Sequence, residues 1–263
     1  MRFKHIFLII SISFCVNISA QSTAYKQVAE LIIEAPQLNI IKTIWVYLPK
    51  NYQKSRKRYP VIHMHHAKNL FDVSKSYIGE WQIDEYLHPI TENESILIGI
   101  EHAKDIRIDE LTPFRHIKYG GGNGNAYLNF IKNILKSFFN YTYLTLTDVE
   151  HTTLFDFSLG GLISFYGTVK FPETYRKAGV FSPAFWINCE IYSSVESLEM
   201  PETSKFYFLI ETAESEEMIP DQKRMVSFLK YKGVNDDQLK SLIIKGGEHK
   251  EKFWSTHFAD ACQ

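Results

Sequence analysis

The stretch FDFSLGG, from Phe155 to Gly161, is one residue away from the pattern G-x-S-x-G, because Asp156 stands where the pattern has its first glycine. An apolar run over residues 152–157 leads into Ser158, and a helical-period run over residues 159–169 follows it. A serine on a sharp turn between a buried strand and a helix is the context in which this pattern supplies a nucleophile. The alternative is that Ser158 is an ordinary helix N-cap, and these few residues alone favour neither interpretation.

Short apolar runs alternate with helical-period stretches along the rest of the chain. This alternation predicts an α/β fold with a mostly parallel sheet and helices on both faces. No repeat or linker divides the chain, so we expect a single domain over residues 21–263. The predicted strands are residues 40–49, 59–66, 95–102, 152–157, 178–183, 205–211 and 239–246. The predicted helices are residues 81–87, 126–139, 159–169, 218–232 and 249–259.

The first twenty residues have the layout of a secretory signal peptide. Arg2 and Lys4 precede an apolar stretch over residues 6–16, and the small residue Ala20 marks the expected cleavage site. The apolar stretch is too short to span a bilayer. We therefore predict an exported protein, secreted or periplasmic, with no membrane span.

Composition and charge exclude several classes of function. Apolar residues make up 45% of the 263-residue chain, which suits a folded core rather than a disordered protein. The formal net charge of −1 gives no electrostatic reason to bind nucleic acid or an anionic membrane. Cys189 and Cys262 can form one disulfide in an oxidising compartment or be separate thiols, and the sequence leaves both alternatives open.

Three other features invite a functional interpretation and receive a structural one. His63 and His65 alternate along a strand and point away from the face of His66, so we expect no metal site. The glycine-rich segment at residues 120–124 follows no strand and precedes no Lys-Ser/Thr pair, so we expect a mobile loop beside the substrate cleft and no cofactor. Arg107 and Glu110 are expected to form a structural pair.

A nucleophilic serine needs a histidine base and a carboxylate that orients it, and in this fold class they follow in the order serine, acid, histidine. Only His249 and His257 lie beyond Ser158, and His249 directly follows the last predicted strand. The acid should follow the strand at residues 205–211. The segment ETAESEEM offers Glu211, Glu214, Glu216 and Glu217 for this role.

Several separate blocks carry a resemblance to a known family. They are YPVIHMHHAKNLFD from Tyr59, GEWQIDEYL from Gly79, IGIEHAKDIRIDELTPF from Ile98, FSLGGLISFYGTVKFPETYRKAGVFSPAFW from Phe157, ETAESEEM from Glu211 and GGEHKEKFW from Gly246. With these blocks the chain resembles the Putative esterase family of α/β-hydrolases. That family includes siderophore esterases, feruloyl esterases and S-formylglutathione hydrolases, and the resemblance covers most of the chain after residue 45.

The resemblance implies a role for each matching residue. Ser158 would be the nucleophile, His249 the base and Glu214 the orienting acid, with Asp221 as the second choice of acid. The backbone N–H groups of Leu159 and Ala67 would form the oxyanion hole.

The implied activity is that of an exported serine carboxylesterase acting on a small-molecule, siderophore or carbohydrate ester without a cofactor. The alternatives are a catalytically impaired binding protein on the same fold and an acyltransferase that uses the same acyl-enzyme.

The chain also departs from the family beside the predicted site. His66, Ala67 and Lys68 replace the family's Asp-Gly-Gln turn, and Asp156 replaces the first elbow glycine. Glu211 and Thr212 stand where the family usually has a glycine before the acid loop. The two strands that end at these positions are expected to be neighbours. We therefore predict that His66 pairs with Asp156, and the alternative is that Asp156 turns to solvent.

Overall fold

The computed structural model describes residues 21–213, 218–247 and 249–262. Its centre is an eight-stranded sheet in the order β1-β2-β4-β3-β5-β6-β7-β8. The strands are β1 Val28–Ala35, β2 Ile40–Tyr47, β3 Val61–Met64, β4 Ile96–Ile100, β5 Thr152–Phe157, β6 Lys177–Phe181, β7 Lys205–Glu211 and β8 Leu239–Ile244. β1, β2 and β4 pair antiparallel to their neighbours in that order, and all pairs from β4 to β8 are parallel.

The central strands are apolar because both of their faces are covered. All residues of β3 and β4 are buried, which matches the continuous apolar runs expected of parallel strands under helices. The predicted bounds of β5 and β7 agree with the structure. The sequence missed β1, an edge strand whose Ile32 is exposed and whose glutamates interrupt the apolar pattern.

The helices flank this sheet. They are α1 Ile83–Leu87, α2 Arg107–Leu111, α3 Gly124–Phe130, α4 Lys136–Thr142, α5 Ser158–Lys170, α6 Glu190–Glu196, α7 Met218–Tyr231 and α8 Glu251–Cys262. A π-helical turn, Ile131–Leu135, joins α3 to α4, so the helix predicted at residues 126–139 is part of a longer helical run. The short α2 and α6 were not predicted.

Two apolar clusters form the core, one on each face of the sheet. The larger one contains most of the buried side chains of the α3–α5 region. The second contains Trp81, Trp254 and Phe258, which pack over Phe155 and Phe181. This second cluster lies under α8 and reaches the carboxyl edge of β5, so it supports the predicted nucleophile from one side.

Three further expectations concern the signal peptide, a membrane span and the cysteines. Residues 1–20, with the predicted signal peptide, lie outside the described residues. Within the part of the chain that is described, no helix is both long enough and apolar enough to cross a membrane. Cys189 and Cys262 are separate thiols, the first exposed and the second partly buried.

Candidate active site

Ser158 stands at a strained turn between β5 and α5. Its φ angle is +54°, which is rare for a residue with a side chain. The following helix packs closely on the neighbouring strand, since a Cβ added to Gly161 would lie 2.9 Å from the carbonyl oxygen of Phe181. Phe157 occupies the N-cap position of α5 and makes no side-chain cap. Ser158 is thus the first residue of the helix, on the sharp turn that a nucleophile elbow requires.

Asp156 replaces the first elbow glycine without turning to solvent. Its side chain is fully buried, and its Oδ1 accepts a hydrogen bond from the backbone N–H of Phe157 at 2.7 Å. A Cβ on Gly160 would lie 2.6 Å from the Asp156 carboxyl carbon. The second glycine of the pattern therefore provides the space for the carboxylate. Burial raises the pKa of Asp156 to about 6.

The predicted pairing of His66 with Asp156 is confirmed. β3 and β5 are neighbours, and His66 Nδ1 lies 3.1 Å from Asp156 Oδ1. Burial, and then the nearby guanidinium of Arg107, hold the pKa of His66 well below its usual range. The contact is therefore a hydrogen bond from a neutral imidazole and not an ion pair.

The expected pairing of Arg107 with Glu110 is wrong. Arg107 Nε donates to His66 Nε2 at 2.8 Å, whereas Glu110 pairs with the buried Lys42 of β2 at 2.6 Å. Helical spacing places residues three apart on one side of a helix. In the folded chain, however, Arg107 reaches the turn after β3 and Glu110 reaches β2.

His249 lies beside the elbow through a shared tryptophan. Its ring meets Trp254 edge-on, with centroids 4.6 Å apart. Trp254 in turn stacks on Phe157, the residue before Ser158, at 3.9 Å. The more distant candidate, His257, lies within α8 and bonds the carbonyl of Phe253 through Nδ1 at 2.8 Å. Of the two downstream histidines, His249 is the one at the carboxyl edge of the sheet.

Glu211, the last residue of β7, faces His249. Its Oε1 lies 3.6 Å from His249 Nδ1, and its side chain is fully buried. Ser182 donates to Glu211 Oε2 at 2.7 Å. The indole N–H of Trp254 donates to the same serine hydroxyl at 3.1 Å. Trp254 and Ser182 thus fix the orientation of the carboxylate.

The sequence favoured another acid at this place. Glu214, like Glu216 and Glu217, lies outside the described residues, so its distance from His249 is still a prediction. Asp221, the second choice, accepts a hydrogen bond from the hydroxyl of Tyr192 at 3.2 Å. The sequence signal for Glu211 was its place at the carboxyl end of β7, where reactive groups of a parallel sheet gather.

Two backbone N–H groups are available at the predicted oxyanion hole. Ala67 follows His66, whose φ of +53° forms a left-handed turn, and Leu159 follows Ser158. Among the described residues, neither the N–H of Ala67 nor that of Leu159 donates to another protein group. Donors on two neighbouring strand ends can converge on an oxyanion as its charge develops.

This fold has counterparts among known proteins. The model of the family described as "Putative esterase" matches residues 36–206. The chain belongs to this family. It is a hydrolase, and within that class a carboxylic ester hydrolase.

A relative and two solved structures show how far the similarity extends. The uncharacterized protein YbbA of Bacillus subtilis is 28% identical over 83% of this chain and 90% of its own length. An IroE-like serine hydrolase from Shewanella oneidensis has a TM-score of 0.72 at 14% identity, covering 89% of this chain and 78% of its own. The enterobactin esterase FES from Shigella flexneri has a TM-score of 0.72 at 12% identity, covering 92% and 60%. At these identities the two structures confirm the fold.

An aromatic pair borders the site of this esterase. Trp186 follows the SPAF segment, whose Ala184 donates its N–H to the carbonyl of Ser158 at 3.1 Å. Tyr119 meets Trp186 edge-on at 5.7 Å. Tyr119 directly precedes the glycine-rich segment at residues 120–124, where the Gly122 N–H bonds the Thr112 hydroxyl at 3.0 Å. This bond ties the segment to the end of α2, and its mobility stays a prediction.

Two histidines, His63 in β3 and His65 just after it, were considered as metal ligands. Both ring nitrogens of His65 have partners, Tyr127 at 2.7 Å and Ser164 at 3.1 Å. Within the described residues, the one group with metal-ligand spacing is acidic and consists of Glu80, Asp84 and Glu85. Neither histidine belongs to that group.

A large groove lies at the opposite edge of the sheet. It encloses about 910 Å³, and its lining includes Pro60, Thr153, Lys177, Lys205 and Leu239. These residues stand at or beside the amino ends of the parallel strands. Because ligands of such sheets bind at the carboxyl ends, size alone does not make this groove the substrate site.

Proposed function

We propose that this protein is an exported serine carboxylesterase that forms an acyl-enzyme on Ser158. The observation that carries the proposal is the positive φ of Ser158 at the β5–α5 turn, with His249 close by. A backbone strained in this way is costly unless the surrounding fold enforces it, and such strain collects at functional sites.

The mechanism assigns one step to each group. His249 takes the proton of Ser158 Oγ as that oxygen attacks the ester carbonyl, and Glu211 stabilises the imidazolium that results. The N–H groups of Leu159 and Ala67 bind the oxyanion of the tetrahedral intermediate. His249 then returns the proton to the leaving alcohol, and water repeats the sequence to release the acid.

The proposed substrate is a small-molecule ester, and siderophore and carbohydrate esters are the first classes to examine. The exposed edges of Tyr119 and Trp186 supply flat apolar surface beside the nucleophile. Such surface suits an acyl or alcohol group with an aromatic ring. Turnover should be compared across p-nitrophenyl acyl chains, feruloyl esters and ferric siderophores. Equal turnover of aromatic and aliphatic esters would contradict this preference.

A fluorophosphonate probe tests the nucleophile directly. We expect the mature protein to be labelled once, at Ser158, and peptide mass spectrometry locates the adduct. An intact protein that is not labelled would instead be a binding protein on an esterase fold. Export is tested separately, by sequencing the N-terminus of the protein recovered outside the cytoplasm, which we expect to begin at Gln21.

A further inference from the structure

Three side chains connect α2 to the elbow in one chain of hydrogen bonds. A guanidinium can only donate, so the 2.8 Å contact from Arg107 Nε makes His66 Nε2 an acceptor. The imidazole proton must then be on Nδ1, where it donates to Asp156 Oδ1 at 3.1 Å. The order of donation is Arg107 to His66 to Asp156.

This chain of hydrogen bonds separates two charges with a neutral ring. Arg107 at one end is positive, Asp156 at the other is a fully buried carboxylate, and His66 between them is also buried. A carboxylate so close to the serine would oppose the negative charge that develops on the substrate oxygen. Arg107 supplies the opposite charge, and the neutral ring of His66 is hydrogen-bonded to both groups without adding a charge of its own.

The two bonded residues are part of the turns that supply the oxyanion donors. His66 has φ of +53° and precedes Ala67, whereas Asp156 accepts from the N–H of Phe157, which precedes Ser158 with φ of +54°. Left-handed backbone is unfavourable for His66 and for Ser158. A single side-chain pair thus joins two strained turns on neighbouring strands.

We propose that Arg107 and His66 are positioning residues, which link the His66 turn to the elbow so that the Ala67 and Leu159 N–H groups converge on one oxyanion. This inference rests on the proposed esterase function. Neither side chain is assigned a contact with the substrate. Their effect is on the position of the two turns and on the charge beside them.

Several other titratable groups face the hydrogen bonds between Arg107, His66 and Asp156. The ring of His102 lies 5.1 Å from that of His66, and burial lowers its pKa to about 3. His65 faces Asp156, and burial lowers its pKa to about 3 as well. Burial raises the pKa of Glu251, which faces both Arg107 and Asp156. Lys68 and Glu101 pair at 3.4 Å and line a small cavity with His66.

The wild-type protein allows a test that requires no activity. Two-bond ¹H–¹⁵N spectra of the histidines should show His66 with a protonated Nδ1 and an unprotonated Nε2, unchanged between about pH 6 and about pH 9. Its resonance is assigned by its loss in His66→Asn. An Nε2-protonated ring, or a ring that titrates near its ordinary pKa of about 6.5, would overturn the proposal.

Kinetics of arginine variants test the positioning role. We expect Arg107→Met to lower kcat about tenfold with KM changed less than about twofold, since an oxyanion donor acts in the transition state. Arg107→Lys, which keeps a donor and the charge, should recover most of that loss. Arg176→Met is the matched control, because Arg176 pairs with Glu150 at the far edge of the sheet.

A double-mutant cycle then connects Arg107 to Asp156. In an Asp156→Asn background the loss from Arg107→Met should shrink to less than about twofold, because no carboxylate is left to neutralise. The loss from Arg107→Met, measured relative to wild type, should also shrink as the pH falls, since Asp156 without the guanidinium binds its proton more tightly and the harmful charge is removed. The same loss in both backgrounds would contradict the proposal.

Two substitutions of His66 distinguish the roles of its two ring nitrogens. Asparagine tolerates left-handed backbone and can donate from about the Nδ1 position, so His66→Asn should retain kcat within about threefold. His66→Gln places its amide nearer the Nε2 position and should lose about tenfold. Equal kcat values for the two variants would count against the link to Asp156.

Failure of this inference can be told from failure of the proposed function. If the probe does not label Ser158 but His66 has the stated tautomer, the function is wrong and the chain of hydrogen bonds stands. If Ser158 is labelled and the cycle is additive, the esterase assignment stands and the positioning role is wrong.

Discussion

The two sides of Ser158 are built from different kinds of residues. On the acid side, neutral donors from Trp254 and Ser182 orient the carboxylate of Glu211, which faces His249. On the turn side, the contacts beside Ser158 involve His66 and Asp156, and both are departures from the family's pattern. Both sides nevertheless consist of buried polar groups that are hydrogen-bonded to one another.

The two sides differ in how much stability the fold loses when their buried carboxylate is ionised. Both sides bury a carboxylate, but Glu211 faces the partly exposed ring of His249, whereas Asp156 faces the buried ring of His66 and its pKa is raised to about 6. A raised carboxylate pKa means that the folded protein resists ionisation of that group. The turn side therefore costs stability at neutral pH, and the following predictions test how independent the two sides are.

Removing the serine that both sides serve should have the largest effect. We expect Ser158→Ala to lower kcat by at least about 10⁴-fold with no loss of thermal stability, because nothing else in the site can accept the acyl group. Turnover of p-nitrophenyl acetate and thermal denaturation measure the two quantities. Turnover at the wild-type rate would refute the nucleophile assignment.

The identity of the acid is the next largest effect. Glu211→Gln should lower kcat by about 10³ to 10⁴-fold, because the imidazolium then loses its counter-charge. Glu214→Gln is the matched control and tests the residue that the sequence favoured. A larger loss in Glu214→Gln than in Glu211→Gln would return the role to Glu214.

The cost of the turn side should appear as a pH-dependent gain in stability. The pKa of Asp156 is higher in the folded chain than in the unfolded one, so its ionisation destabilises the fold above about pH 6, and the cost disappears as the pH falls. Asp156→Asn should therefore raise the free energy of unfolding by up to about 3 kcal/mol near pH 8 and by little near pH 4. Denaturant unfolding at the two pH values measures this, and an equal effect at both would be contrary to it.

The smallest effect should come from the support of the acid. Ser182→Ala removes one hydrogen bond to the Glu211 carboxylate, and a bond to a charged group is worth about 1.5–3 kcal/mol. We expect kcat to fall about tenfold with KM little changed. Ser204→Ala is the control, since Ser204 is also a buried serine and stands at the amino end of β7. Similar losses in both variants would indicate general loosening of the sheet.

Local sequence determined most of the strands and helices and predicted the order of the candidate catalytic groups. The alternation of apolar runs and helical stretches predicted the parallel sheet, because burial on both faces requires continuous apolar strands. The run that ends at Phe157 and the glycines after Ser158 predicted the elbow. The edge strand β1 escaped prediction because an exposed strand needs few apolar residues.

Partners distant along the chain were decided by the tertiary structure alone. Arg107 bonds His66 across 41 positions, and Trp254 reaches Ser182 across 72. From the sequence, Arg107 was expected to pair with Glu110, which is close along the chain. The choice of Glu214 over Glu211, which the resemblance implied, stays a prediction. Spacing along the chain fixes which residues share a turn or a strand, but a buried side chain bonds whichever polar group the packing of distant elements brings within about 3 Å.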